Sequence, residues 1–464
     1  MAIGGARGPK TRKRVVVIGG GFGGLHATLG LAKLDLDVTL IDKKNHHTFQ
    51  PLLYQVALAV LSPADIAQPI RSIMREKKNV EVLMDEATEF DRERKRVRLK
   101  SGAQVEYDYL VVATGSTHSY FGRDDWAPLA PGLKTVEDAT EIRRRVLLAF
   151  ELAERQKVET GEHPALNFVI IGGGPTGVEL AGAISDITRL YMRKDFRHID
   201  PSKAEVLILE GSPKILGMYP EDLQVRARKQ LEALGVRLRT SAHVSDVKPG
   251  YVMVGEERID SVVTLWAAGV QASGLGKLLG FETDRKGCVV VDQYLNPAGT
   301  PEIFVIGDLA HFEQDGKQVP GVAQPAMQMG DFVARRIGRL IAGERGSDGT
   351  GKHEGFRYFD KGDMATIGRK AAVAKIVWPF KAHWSGFAAW LTWLVVHIFF
   401  LIGFRNRLAV FGQWTWTYLT FVDSARLITG SQELPGWGVH DRVHGDLTTE
   451  PLAMDSKNDE GVRV

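Results

Sequence analysis

Short β-branched runs, glycine turns and helically spaced apolar positions follow one another along the chain, and the series occurs twice. Residues 13–24 read KRVVVIGGGFGG, in which Val15, Val16, Val17 and Ile18 enter a turn with Gly19, Gly21 and Gly24. A helical pattern is expected over 25–33, then a second strand over 37–41 that ends at Asp42. Residues 167–177 read NFVIIGGGPTG, with Gly172, Gly174 and Gly177 in the same G-x-G-x-x-G spacing. A helix is expected over 178–187, and a strand VLILE ends on Glu210. Each unit also closes alike, on Ala113-Thr114-Gly115 in the first and Ala267-Ala268-Gly269 in the second. Ala113 lies 94 residues after Gly19 and Ala267 lies 95 after Gly172, which marks an internal repeat.

The pattern has a physical reason. The first glycine permits a tight turn, the second lets backbone approach a pyrophosphate, and the third packs helix on strand. A helix N-terminus then offers N–H groups and positive dipole to phosphates. Candidate contacts are Gly19, Gly21, Phe22, Gly23, Gly24 and Thr114, Gly115 in the first unit, with Asp42 and Lys43 where ribose hydroxyls would lie. In the second they are Gly172, Gly174, Pro175, Thr176, Gly177 and Ala268, Gly269, with Glu210 at the ribose. Two such sites imply two nucleotides, and the expected pair is a flavin and a nicotinamide. A carboxylate at Glu210, where a 2′-phosphate would lie, favours NADH over NADPH by charge repulsion.

Composition narrows the chemistry. At 464 residues the chain accommodates two or three domains. Its net charge of +3 gives no argument for nucleic acid. The single cysteine, Cys288, excludes disulfides within the chain, a Cys-rich metal site and a catalytic dithiol. Adjacent His46 and His47 lack companion ligands in sequence, so no metal is expected there. Arg7, Lys10, Arg12, Lys13 and Arg14 form a basic start, read as a solvated tail or a contact with anionic headgroups.

Further motifs carry a family resemblance. Residues 301–309 read PEIFVIGDL, and 323–330 read AQPAMQMG at the start of a helical pattern. With GGGFGG at 19–24, FQPLLYQVA at 49–57, GGGPTGVELAG at 172–182, RKDFRHIDP at 193–201 and ATIGR at 365–369, residues 13–430 resemble the type II NADH:quinone dehydrogenases. The resemblance implies a two-dinucleotide-domain α/β flavoprotein with two Rossmann-like domains and a C-terminal helical membrane-anchoring region. It implies non-covalent FAD on the first unit, with Asp308 at the ribityl chain, Ala87 backbone near the adenine and Ala323 and Gln324 at the flavin ring. NADH falls to the second unit. Gln324 and Gln328 are implied to border the quinone, and Glu179 to lie near nicotinamide and flavin as a proton relay or ring-orienting group. Two departures stand out: Asp42 where Glu is more usual, and Pro325 within the quinone segment.

Residues 387–404, FAAWLTWLVVHIFFLIGF, are apolar nearly all round. As one helix they would reach roughly 27 Å, just short of a hydrocarbon core of about 30 Å. Lys370, Lys375 and Lys381 precede the segment, and Arg405 and Arg407 follow it, so both ends are expected at one cytoplasmic surface. We read 384–421 as an in-plane or shallow anchor, with a buried core or dimer helix and a true span as the alternatives. The expected division is a basic tail (1–12), an FAD domain in two parts (13–130 and 291–375), a helical connection (131–164) and an NADH domain (165–290). An anchoring region (376–430) and a polar tail (431–464) follow. The expected function is NADH:quinone oxidation–reduction without ion pumping, at the cytoplasmic face of a bacterial inner membrane. Its partners would be quinone, the bilayer surface and a second copy as a homodimer. A soluble NADH-dependent flavin reductase and an NADH-sensing flavoprotein are the alternatives.

Overall fold

The computed structural model describes residues 12–343, 355–420 and 425–437. The expected basic tail, apart from Arg12, and the polar tail beyond 437 lie outside the described residues.

The buried run of the first unit, Lys13–Ile18, becomes the middle strand of a five-stranded parallel sheet. Leu36–Asp42 and Val80–Met84 lie to one side, Tyr109–Val112 and Ile303–Val305 to the other. Such near-continuous apolar strands are what a sheet covered on both faces requires. The second unit repeats the plan with four parallel strands, in the order Val236–Thr240, Glu205–Glu210, Asn167–Ile171, Val263–Trp266. A three-stranded antiparallel sheet accompanies each unit, over Ala87–Asp91, Arg96–Leu99 and Gln104–Glu106 in the first. In the second it is built from Val244–Lys248, Tyr251–Val254 and Glu257–Asp260.

Two elements hold the first unit's returning segment in place. Ile303–Val305 pairs with Leu110–Val112, and helix Ala323–Ile341 packs on helix Phe22–Leu31. The helices approach through small residues. A Cβ on Gly330 would stand 2.3 Å from the Gly23 carbonyl oxygen, and one on Gly30 would stand 2.5 Å from the Ala334 Cβ. The two units meet where Ser116–His118 pairs antiparallel with Val270–Ala272.

The first helix begins at Phe22, three residues earlier than the apolar periodicity indicated. A larger correction concerns the C-terminal region. A third antiparallel sheet, Gly362–Thr366, Ala372–Ile376 and Ala382–Ser385, was not anticipated, and its middle strand runs across the expected boundary at 375/376. The apolar segment is not one helix of eighteen residues. It forms Phe387–Phe400, fourteen residues, and ends where Leu401 turns to extended backbone and Gly403 takes φ +88°. A second helix, Phe404–Thr420, follows. No helix among the described residues is long and apolar enough to cross a membrane.

The helix Phe387–Phe400 has two unlike faces. Ala389 and Trp393 are buried, and Trp393, Leu401 and Val410 belong to the same core as the second unit's strands. Phe387, Leu391, Val395 and Phe399, spaced by four, form an exposed apolar stripe. The expected polar tail also begins later than 431. Leu434 is buried, and Arg144 on the long helix Val136–Thr160 donates to the Ser431 and Glu433 carbonyls at 2.8 and 2.7 Å.

Candidate functional site

Both glycine turns are shaped by contacts that only glycine allows. Gly19 has φ +100° and faces the Ala113 carbonyl, where an added Cβ would stand at 2.4 Å; Gly172 has φ +112° and would meet the Ala267 carbonyl carbon at 2.5 Å. The third glycines pack hardest, with a Cβ on Gly24 1.8 Å from the Gly19 oxygen and one on Gly177 1.9 Å from the Gly172 oxygen. The second glycines are different. Gly21 and Gly174 have nothing within 4 Å of an added Cβ. Each is the N-cap of its helix, and no side chain caps either one. Each turn therefore leaves an open cradle at a helix N-terminus, which fits a pyrophosphate.

A carboxylate braces each cradle from behind. Asp42 accepts the Gly20 N–H at 2.6 Å and the Lys44 N–H at 2.7 Å. Glu210 accepts the Gly173 N–H at 2.6 Å and the Ser212 N–H at 2.7 Å. These bonds orient each acid at the end of its strand. Pro175 and Thr176 open the second helix, and Gly269 lies against Phe121 and the Ser119 carbonyl. Lys43 is exposed, and Ala87 is buried at the start of its strand.

The residues expected around a flavin come together from four stretches of chain. Thr114 Oγ1 lies 2.5 Å from Ser273 Oγ. Gly115, at φ +66°, leads to Ser116, whose hydroxyl donates to Asp308 Oδ2 at 2.7 Å. Lys134 Nζ donates to the same hydroxyl at 2.8 Å. The Gly307 N–H points to Met329 Sδ at 3.3 Å, and a Cβ on Gly23 would stand 3.2 Å from the Ala326 oxygen. The glycine helix, Asp308 and the start of the Ala323–Ile341 helix thus share one cleft. Phe22 stands edge-on to His47 and Phe49, with centroids 5.1 and 5.8 Å away.

One strand links the two halves of this region. Its first residue, Gly362, offers its carbonyl to Gln324 Nε2 at 2.9 Å. Its last, Thr366, gives its N–H to the Glu179 carboxyl. Gln324 Oε1 is buried without a protein partner. Gln328 instead clamps Phe359, donating to its carbonyl at 3.0 Å and accepting its N–H at 2.9 Å. Glu179 keeps one edge partly exposed, yet burial of the carboxyl pushes its pKa up to about 8. The Thr366 N–H offsets only part of that rise. A carboxyl so placed holds its proton near neutral pH.

The residues that sequence reasoning missed surround Thr366. Its hydroxyl donates to Tyr54 Oη at 2.9 Å, Gln55 Nε2 donates to the same oxygen at 2.9 Å, and Trp414 Nε1 donates to Gln55 Oε1 at 2.7 Å. The only available signal was the stretch FQPLLYQVA, which marked the neighbourhood without singling out Tyr54 or Gln55.

No group of three or more potential metal ligands occurs among the described residues. His47 is buried, bonded through Nδ1 to the Gly20 oxygen at 2.9 Å, and burial lowers its pKa to about 4. Cys288 is free and buried, with its thiol pushed up to about 11 by that burial.

Known proteins resemble this chain over most of its length. The pyridine nucleotide-disulphide oxidoreductase family matches residues 13–330. The type II NADH:quinone oxidoreductase Ndh of Mycobacterium tuberculosis is 42% identical over 436 residues, covering 91% of this chain and 92% of the relative. The chain belongs to the type II NADH:quinone oxidoreductases. The NdhA protein of the same organism is 41% identical over 428 residues, covering 89% of this chain and 88% of its own. Among solved structures, NDH2 from Plasmodium falciparum in complex with NADH matches with a TM-score of 0.78 at 20% identity, covering 90% of this chain and all of that one. That likeness establishes the fold. As a type II NADH:quinone oxidoreductase the chain carries no dithiol, although the wider family's name refers to disulphides.

Proposed function

We propose that the chain oxidises NADH and reduces a membrane quinone through non-covalent FAD, without ion pumping. The observation that carries this reading is the strand Gly362–Thr366, which ties Gln324, at the flavin-side helix, to Glu179, on the nicotinamide-side helix. The residues present fit the two nucleotides, because both cradles are open, uncapped and braced by an acid. When bound, FAD supplies a hydride acceptor for NADH and a two-electron donor for quinone.

The roles of the chain's own residues follow from position. Gly21, Phe22, Gly23 and Gly24 present N–H groups to the FAD pyrophosphate, and Asp42 and Asp308 receive its hydroxyl groups. Gly174, Thr176 and Gly177 present N–H groups to NADH in the same way, Pro175 sets the first helical turn, and Glu210 repels a 2′-phosphate. Glu179 keeps a proton available at neutral pH, and its hydrogen bond to Thr366 fixes where that proton points. Gln324, with its unpartnered buried oxygen, orients the acceptor side.

The exposed stripe of Phe387, Leu391, Val395 and Phe399 supports attachment to a bilayer surface. Basic residues on both sides of the helix favour its cytoplasmic face. Two experiments test these readings. Stopped-flow flavin absorbance should show Gln324→Ala slowing reoxidation by quinone about ten- to a hundredfold while reduction by NADH changes little. Slowing confined to reduction would refute the acceptor-side role. In the triple variant Leu391→Gln, Val395→Gln and Phe399→Gln, each lost apolar contact removes about 1.5 kcal/mol or more of lipid affinity. That protein should leave the membrane fraction with its flavin. A parent enzyme that is a dimer free of lipid, with the stripe buried between copies, would replace the bilayer as its cover.

A further inference from the structure

The three acids assigned to nucleotide hydroxyls are not held alike. Asp42 and Glu210 accept backbone N–H groups of their own units. Asp308 is approached by two side chains from distant parts of the chain. Ser116 Oγ donates to its Oδ2 at 2.7 Å, and Lys134 Nζ stands 3.8 Å from the same oxygen. Lys134 also donates to the Ser116 hydroxyl at 2.8 Å, so the three groups close a triangle.

The lysine is fixed by its own backbone. Its N–H goes to Asp138 Oδ2 at 3.0 Å, beside the Thr135 N–H at 2.9 Å, in the capping box that starts helix Val136–Thr160. Ser116 lies on the strand pair that joins the two units. Asp308 follows strand Ile303–Val305, and its carbonyl takes the Cys288 thiol at 3.4 Å. A surface ion pair in such a place would be worth little. This one sits in the cleft: the side chains of Lys134 and Asp308 are only 21% and 22% exposed, and a Cβ on Gly321 would stand 3.2 Å from the Asp308 carboxyl carbon. A flavin chain bonded to Asp308 displaces water from it, and a carboxylate losing water needs a cation. Reduction adds negative charge to the flavin, which an uncompensated carboxylate nearby would oppose.

We propose that Lys134 is a positioning residue for the flavin. Through Ser116 it holds the Asp308 carboxylate ready for the ribityl chain, and its charge favours the reduced cofactor over the oxidised one. The inference rests on the placement of FAD at Asp308 and adds what sets the cofactor's affinity and potential there.

The test uses the full-length, FAD-loaded protein in detergent. Lys134→Met removes charge and donor together, Lys134→Arg keeps both, and Asp308→Asn tests the site itself. Two quantities are measured: FAD released on serial dilution, read by flavin fluorescence, and the two-electron midpoint potential, read by equilibration with a reference dye. Lys134→Met should raise the FAD dissociation constant about tenfold. It should also shift the redox equilibrium about tenfold toward oxidised flavin, a fall of about 30 mV. Lys134→Arg should stay within about threefold of the parent in both. A redox equilibrium shifted less than about twofold in Lys134→Met overturns the proposal, because a lysine that only stiffened the fold would lower the urea midpoint and leave the potential alone. If that happens while Asp308→Asn loses flavin, the lysine's role alone falls. If Asp308→Asn holds flavin as tightly as the parent, the placement of FAD at Asp308 falls and takes the proposal with it. Should Lys134→Met purify without flavin, Lys134→Arg decides: flavin retained upholds the proposal, and flavin lost equally overturns it.

Discussion

In the first nucleotide unit the seventh residue beyond the leading glycine is His26, and in the second it is Glu179. The two stand on equivalent turns of equivalent helices, yet their surroundings differ. His26 meets another helix, and its Nδ1 lies 3.2 Å from Asp331 in a half-exposed pair. Glu179 meets the end of a strand, takes one backbone N–H, and is buried enough to keep its proton. Duplication supplied the same helix twice, and what packed on each copy decided its use. The first became a structural seam of small residues; the second became a place where a carboxyl is held neutral.

The largest test of that contrast lies in the third glycines. In both Gly24→Ala and Gly177→Ala the new Cβ meets a backbone oxygen below 2 Å, which no side-chain motion relieves. Gly24→Ala should purify with less than about a tenth of the parent's flavin. Gly177→Ala should keep its flavin while bleaching by NADH falls about a hundredfold or more. Equal loss of flavin in both would break the assignment of one nucleotide to each unit.

Next in size is the pH dependence of stability. The Glu179 carboxyl rises from 4.5 to about 8 on folding, so the folded chain binds this proton more tightly than the unfolded chain. The stability it contributes is complete below pH 4.5, declines as pH rises, and is gone above about 8. The total change is up to roughly 5 kcal/mol at about 1.36 kcal/mol per pKa unit. In Glu179→Gln, the urea midpoint should fall less than the parent's between pH 5 and pH 8.5. Parallel curves for the two proteins would show that the carboxyl is not held neutral. A smaller effect is expected at Glu210. Parent protein should be bleached by NADH and poorly by NADPH, and Glu210→Gln should raise kcat/KM for NADPH about tenfold by removing a repulsive charge. Parent protein reduced equally by both nucleotides would refute the NADH preference. The smallest belongs to His26→Asn, which should cost under about 1 kcal/mol by urea titration, as an exposed pair does.

The glycine turns were legible because backbone geometry there dictates residue type: Gly19 and Gly172 adopt positive φ, and Gly24 and Gly177 leave no room for a Cβ. The acids ending each second strand were legible for a similar reason, as position along a parallel strand is fixed by its pattern. Tyr54 and Thr366 were not, because they are 312 residues apart in sequence and only the fold brings them together. The sheet over 362–385 escaped notice because GDMAT and AVAKI carry little β-branched alternation. The break in the apolar segment had one visible cue, Gly403, which the hydrophobic run around it concealed.

The tie between Arg144 and the C-terminal segment bears on how the chain is made. Nη1 of this buried arginine has its acceptors at Ser431 and Glu433, the first of them 287 residues downstream. At about 5–20 residues per second, a ribosome needs roughly 15–60 s to cover that distance. Throughout that interval Arg144 has its ion pair with Glu141 on the same helix, but Nη1 lacks its two carbonyl acceptors. This latch therefore closes late, after the second unit's own strands have long been synthesised. A ribosome that stalls before Ser431 releases a chain whose long helix lacks this latch to the C-terminal segment.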